Sequence, residues 1–191
     1  MKETLIYLGI LVGILLGIAS IIFGSYMPYA KSDLYISGLK STGNVKSTTD
    51  FENLFRPALD YPSPVGQEEV VKYLGSDILG ILNQNSSEAV DRELVNFMEP
   101  YMFKDNVRHL LTLAQDYSIL WNKFHKADDY KKAVDYYLQA YAIGPKLPPV
   151  LYNLLQIYNA GGDKEGVLKI GNEILSYWDD QSVSNFLSKY K

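Results

Sequence analysis

The chain has no cysteine. That excludes disulfides, thiolate metal sites and a cysteine nucleophile, and it fits either side of a membrane. It has only two histidines, His109 and His125, too few for a histidine-rich metal cluster. No P-loop, GxSxG, Rossmann fingerprint or HExxH occurs, so neither a catalytic residue nor a cofactor is expected. Basic excess is also missing. The net charge is -4, which argues against a nucleic-acid partner. No stretch alternates apolar and polar residues as a half-buried strand does, so an all-α chain is expected.

Charge is absent over one long stretch. From Thr4 to Ala30 there is no charged side chain, and Leu5 to Phe23 is almost wholly apolar. At about 1.5 Å per residue this run can cross a hydrocarbon core of about 30 Å. Tyr7, Tyr26 and Tyr29 suit the two interfacial belts. A cleaved signal peptide would need a longer basic n-region, a shorter apolar run and a small-residue cleavage site. The run is therefore read as a retained single-pass anchor, residues 5–26, behind a flank of residues 1–4. Gly9, Gly13 and Gly17 fall four apart on one face and form two overlapping GxxxG motifs. Such a face predicts packing on a transmembrane helix of another protein or of a second copy. Lys2 precedes the span while Lys31 and Lys40 follow it, a count that leans towards a cytoplasmic C-terminal side.

The remaining chain is rich in helical periodicity, and its sixteen tyrosines fall largely at helical spacing. Residues 27–104 read as degenerate helical hairpins. Leu34 to Leu39 form a short piece before the turn cluster Ser41–Asn44. Phe51, Leu54, Phe55, Ala58 and Leu59 form a helix that Thr48 or Thr49 is expected to cap and Pro57 to kink or break. Two further helices follow, Val65 to Asn83 and one from Ser86 or Ser87 to near Pro100. Asp105 is the expected cap of the next.

Residues 105–181 carry an internal repeat. Tyr117, Leu120, Trp121 and Phe124 precede Tyr130, Ala133, Tyr137, Ala140 and Pro145; Leu151, Leu154, Leu155, Tyr158 and Gly162 open a second copy. The period is about thirty-four residues. In the second copy Val167, Gly171 and Ile174 stand where Ala, an aromatic and Ala are expected, and Asp179 stands in place of proline. That copy is therefore expected to be looser. Residues 182–191, with Val183, Phe186 and Leu187 on one side, read as a terminal cap.

These residues resemble the tetratricopeptide repeat family over Ala114 to Asp180. The resemblance implies an α-solenoid of stacked helix pairs after the anchor, whose first helices line a concave groove. The residues on that side are Gln115, Ser118, Asn122 and His125, then Tyr152, Gln156 and Asn159. Their amides suit a peptide backbone or sugar hydroxyls, and Tyr152 could stack. Lys126 alone lies at the edge, so a strong carboxylate clamp is not expected. His125 with Asp128 and Asp129 reads as a solvated turn, not a metal site. Glu68–Glu69 and Asp179–Asp180 are sequence neighbours that point about 100° apart on helices, which does not suit acid/base pairs.

A second resemblance covers more of the chain: Tyr29-Ala30 with Gly38-Leu39, Phe55 with Ala58-Leu59, Gly66-Gln67-Glu68, and Asp105 with Arg108 and Leu111. Their order after a membrane helix is similar to the end of bacterial O-antigen ligase and polymerase-type proteins. It implies a tail outside the cytoplasm. This chain has one span where those proteins have many, and it lacks their glycan-transfer loop. The expectation is a non-enzymatic, membrane-anchored scaffold for a protein partner in a bacterial envelope assembly. The alternatives are an accessory tail of a glycan ligase or polymerase system, and a self-associating structural subunit.

Overall fold

The computed structural model describes residues 2–190, with side chains from Thr4 on; Met1 and Lys191, at the outer ends of the expected flank and cap, lie outside the described residues. All regular elements among them are helices. Two compact units follow one another along the chain, the first ending at Leu74 and the second beginning at Gly75.

The first unit opens with α1 (Lys2–Ile21), which passes through a π-helical turn (Ile22–Tyr26) into α2 (Met27–Ser41). The expected anchor boundary at residue 26 is therefore not a break, and the short piece before Ser41 belongs to the same rod. The π turn has a local cause. Pro28 has no N–H to give and its ring crowds the carbonyl four residues back. The wider turn, closed by the Met27 N–H on the Ile22 carbonyl, absorbs that defect without ending the helix. Leu5 to Phe23 is exposed along its length, and none of its most apolar window is buried.

α2 pairs with α3 (Thr48–Asp60). A Cβ built on Gly38 would stand 3.0 Å from the Phe55 ring, so the glycine sets how closely the two helices approach. Phe51 and Tyr35 close around the same ring, with centroids 4.8 and 6.0 Å away. Two expectations need correction here. The cap is Ser47, whose hydroxyl accepts from the Asp50 N–H, not Thr48 or Thr49. Pro57 does not break α3, which runs on to Asp60 with the proline on its exposed side. Lys31, counted among the basic flank of the span, is 1% exposed, and its ammonium donates to the Tyr61 carbonyl at 2.8 Å. Burial lowers its pKa, with Asp60 opposing the shift.

α4 (Gln67–Leu82) starts in the first unit and ends in the second. After it come α5 (Glu88–Met98), α6 (Val107–Phe124), α7 (Ala127–Ile143), α8 (Pro148–Gly161), α9 (Lys164–Tyr177) and α10 (Gln181–Leu187). From α5 on, each packs against the next. Ser87 caps α5 as expected, but α6 is capped by Asn106, which accepts from the Arg108 N–H, and not by Asp105. The helix expected behind that cap and the first repeat helix are one continuous α6. The interior holds the repeat positions Tyr117, Leu120, Ala133, Tyr137, Ala140, Leu151, Leu154, Val167 and Ile174. Gly162, at φ +74°, ends α8 in the left-handed conformation that glycine adopts without a Cβ clash.

Gly171, standing where an aromatic is expected, has a packing reason. A Cβ there would lie 2.5 Å from Leu187 Cδ2, so the missing side chain makes the seat for the 2%-exposed leucine of α10. Gly171→Val is expected to detach α10. Limited chymotrypsin digestion would then cut near Phe186 about tenfold faster, while the helices before α9 stay protected. Unchanged cutting would mean that α10 is not held through this contact.

Candidate functional site

The expected groove residues separate into two small cavities on the side of α6 and α8. Ser118 and Asn122 from α6 and Gln156 from α8 line one of about 210 Å³, with Tyr137, Asn153, Ile157 and Ala160. Tyr152, Gln156 and Asn159 line a second of about 270 Å³, where α10 closes the wall with Val183 and Phe186. Gln156 is common to both. Gln115 is half-buried and lines neither. His125 also falls outside them. It is the left-handed C-cap of α6, at φ 55°, with its N–H on the Trp121 carbonyl.

The hydrogen bonds narrow what each cavity can offer. Ser118 gives its hydroxyl proton to the Ala114 carbonyl at 2.7 Å, within its own helix. Tyr152 is not free to stack on a ligand from both sides. Its ring lies against Trp178 at 6.4 Å and 23°, and its hydroxyl donates to Asp180 Oδ2 at 2.5 Å. Asp180 also caps α10 by accepting from the Ser182 and Val183 N–H groups, and these bonds, Tyr152 first, lower its pKa. Tyr190 donates to Asn159 Oδ1. The exposed amides of Asn122 and Gln156 can each donate and accept, and Asn159 keeps its NH2 as a donor. This is binding chemistry for neutral polar groups beside an apolar wall.

Asp180 and Phe186 were absent from the expected site. Asp180 bonds Tyr152 from the turn before α10 and Phe186 lines the same cavity; the spacing of Val183, Phe186 and Leu187 marks a packed cap but not the helix it packs against. Lys126, expected at the groove edge, pairs with Glu88. Asp129 is 3% exposed and receives both ends of the Arg92 guanidinium, at 2.9 and 2.6 Å. It is therefore a buried ion-pair partner, not part of a solvated turn. No cluster of three His, Asp or Glu able to hold a metal occurs among the described residues.

A second polar constellation sits where the 3-10 turn Glu99–Tyr101 meets α6 and α7. Glu99 accepts from the Tyr117 hydroxyl at 2.5 Å and from Tyr136. Lys132 lies 3.7 Å from the same carboxylate and 2.8 Å from the Tyr117 hydroxyl, while Lys104 is 3.2 Å from that of Tyr136. Burial pushes the Glu99 carboxyl upward. The two phenol donors and the two lysines outweigh it, so its pKa ends below the usual value. The two phenols donate to Glu99 and the two lysines donate to the phenols, so the cluster fastens the 3-10 turn, α6 and α7 together.

Asp116, on α6 beside this cluster, is wholly buried, and neither carboxyl oxygen has a hydrogen-bond partner. Burial, and secondarily the charge of Glu99, pushes its pKa well above the ordinary carboxylate range.

No family model matches the chain, and no curated protein or solved structure is significantly similar to it.

Proposed function

We propose that the chain is a single-pass, membrane-anchored scaffold without catalytic activity. Its tetratricopeptide-like helical repeats hold a protein partner in an envelope assembly, on the extracytoplasmic side. The observation that carries this reading is the exposed face of α1. An apolar helix uncovered from Leu5 to Phe23 far exceeds the patch that water tolerates on a monomer, and lipid is the solvent that suits it. Serial packing from α5 to α10 supports the stacked-repeat part of the reading, and the amides of Asn122 and Gln156 supply a face for an extended peptide.

Crosslinked capture of the full chain from its native membrane tests the proposal. Envelope proteins retained by the wild type and lost from the Asn122→Ala/Gln156→Ala variant are expected. A retained set indifferent to that variant would remove the groove from the reading.

The accessory-tail reading rests on a separate observation: a Cβ at Gly9, Gly13 or Gly17 would meet nothing within 4 Å, so that face of α1 is open to another helix. Gly13→Leu is expected to abolish capture of a many-span partner while Trp121 and Trp178 fluorescence stays native. Capture unaffected by that leucine would leave the glycines as composition alone. Loss of concentration-dependent self-crosslinking in the same variant would indicate a second copy as the partner helix.

A further inference from the structure

A loop of the first unit is tied to the base of the long helix. Lys31 lies one residue beyond the uncharged stretch, and its ammonium donates to the Tyr61 carbonyl at 2.8 Å and reaches the Leu59 carbonyl at 3.5 Å. Its aliphatic stem passes Gly66, where a Cβ would stand 3.7 Å from Cδ. The segment from Tyr61 to Gly66 is therefore wrapped round one lysine, and that lysine sets its height along α2.

That height can be estimated. Lys31 Cα stands about 12 Å past Phe23 at the helical rise. Helical side chains lean towards the N-terminus, here towards the apolar run, which returns the ammonium by roughly one turn, about 5 Å. The loop then falls within about 7 Å of the end of the hydrocarbon-length segment, the depth of a headgroup layer. Met27, Pro28 and Ala30 are half-covered at this same level, whereas Leu5 to Phe23 is bare apart from Ala19.

The chemistry of the loop fits that layer. Tyr61, Pro62, Ser63, Pro64, Val65 and Gly66 carry no charge, and Val65 is 60% exposed. Pro62 and Pro64 have no N–H to leave unsatisfied away from water. The Tyr61 carbonyl is taken by Lys31, that of Val65 by the Ser63 hydroxyl at 2.7 Å, and that of Gly66 by the Val70 N–H at 3.2 Å. With three of its six carbonyls taken and two of its N–H groups replaced by proline, this exposed loop has fewer backbone groups to satisfy than an ordinary one, which lowers the cost of leaving bulk water for the polar headgroup layer.

We propose that the Tyr61–Val65 loop is a second membrane contact, resting in the lipid headgroup layer at a depth fixed by Lys31. It rests on the single-span reading and adds that the first hairpin is held against the bilayer instead of swinging from it.

The absence of cysteine makes the test direct. Val65→Cys, Leu11→Cys and Asn44→Cys, each in the full chain, are labelled with an environment-sensitive fluorophore. They are then reconstituted in phosphatidylcholine–phosphatidylglycerol vesicles. The Val65 probe is expected to lose a large share of its emission to a headgroup spin label, because it would lie at the depth of that label. The Asn44 probe, at the far end of α2, should be unaffected, and the Leu11 probe should respond to a label near the bilayer centre. A Val65 probe that behaves like the Asn44 probe while Leu11 is quenched overturns the loop contact and leaves the span standing. An unquenched Leu11 probe overturns both. Adding Lys31→Met to Val65→Cys should return its emission to the unquenched level with Leu11 quenching retained; unchanged quenching would overturn Lys31 as the residue that sets the depth.

Discussion

Asp116→Asn is expected to leave the second unit more stable than the wild type at pH 8, because the amide never meets the penalty of ionising, or holding a proton against rising pH, that the buried carboxyl meets. Near pH 4 it should change little. The sign follows from linkage. The native pKa of Asp116 lies above its unfolded value, so the native state binds the extra proton once pH rises past about 4. Stability conferred by the neutral carboxyl is full below the unfolded pKa. It is lost progressively as pH climbs towards the native one. Asparagine does not titrate, so this slope should disappear in the variant. Glu99 works the other way, since its lowered pKa makes its contribution present above the ordinary carboxylate range and lost as pH falls. Both tryptophans, Trp121 and Trp178, lie in the second unit, so their fluorescence on heating follows that unit alone in detergent-solubilised full chain. A midpoint higher than that of the wild type at pH 8, and alike near pH 4, is expected, each 1 kcal/mol of difference moving it by roughly 2–8 °C. Parallel pH profiles for both proteins would mean that the carboxyl finds water or a partner when it ionises.

The helices of this chain were legible because apolar residues recur at helical spacing over long windows, and that signal survives any detail of packing. Their ends were less so. Ser47, Asn106 and the rejected caps Thr48, Thr49 and Asp105 are all competent residues standing side by side, and tertiary packing chooses the residue that stays outside the helix. Pro57 misled for a similar reason. Its ring sits on the solvent side of α3, where the displaced carbonyl can turn to water while Phe55, Ala58 and Leu59 hold the opposite face. Of the groove, the polar positions Ser118, Asn122 and Gln156 could be assigned from spacing, since α6 and α8 bring them to one cavity. His125 could not, because the turn that ends α6 rotates it out of register. The buried ionic pairs were invisible for a plainer reason. Arg92 and Asp129 lie 37 residues apart and Asp91 and Lys123 lie 32, so no local pattern joins them.

That last pair should carry the largest single-residue effect. Lys123→Met is expected to cost about 3–5 kcal/mol, because it leaves Asp91, wholly buried, without its counter-charge. The ammonium also does what no apolar side chain can. Its three N–H groups are shared among four acceptors within reach, Asp91 Oδ2 at 2.5 Å, the Leu82 and Gln84 carbonyls at 3.1 and 3.0 Å, and the Ser86 hydroxyl at 3.1 Å. The Leu82 carbonyl is one of those left open at the end of α4, so one lysine of α6 closes α4 and orients α5 together. Asp91→Asn alone should cost less, since the amide keeps an acceptor for Ser86 and removes the charge that needs neutralising. In the double variant Asp91→Asn/Lys123→Met, part of the loss should return, giving a coupling of about 1–3 kcal/mol in urea unfolding followed by Trp121. A single-variant cost below about 1 kcal/mol would place the pair with ordinary exposed ion pairs, a possibility that the 23% exposure of the Lys123 side chain makes worth testing. The outcome bears on binding as well. Asn122 is the next residue along α6, and its amide lines the cavity shared with Gln156. If Lys123 fixes the rotation of that end of α6, its loss should weaken partner capture at temperatures where the helices are still folded, because the amide would no longer face the cavity.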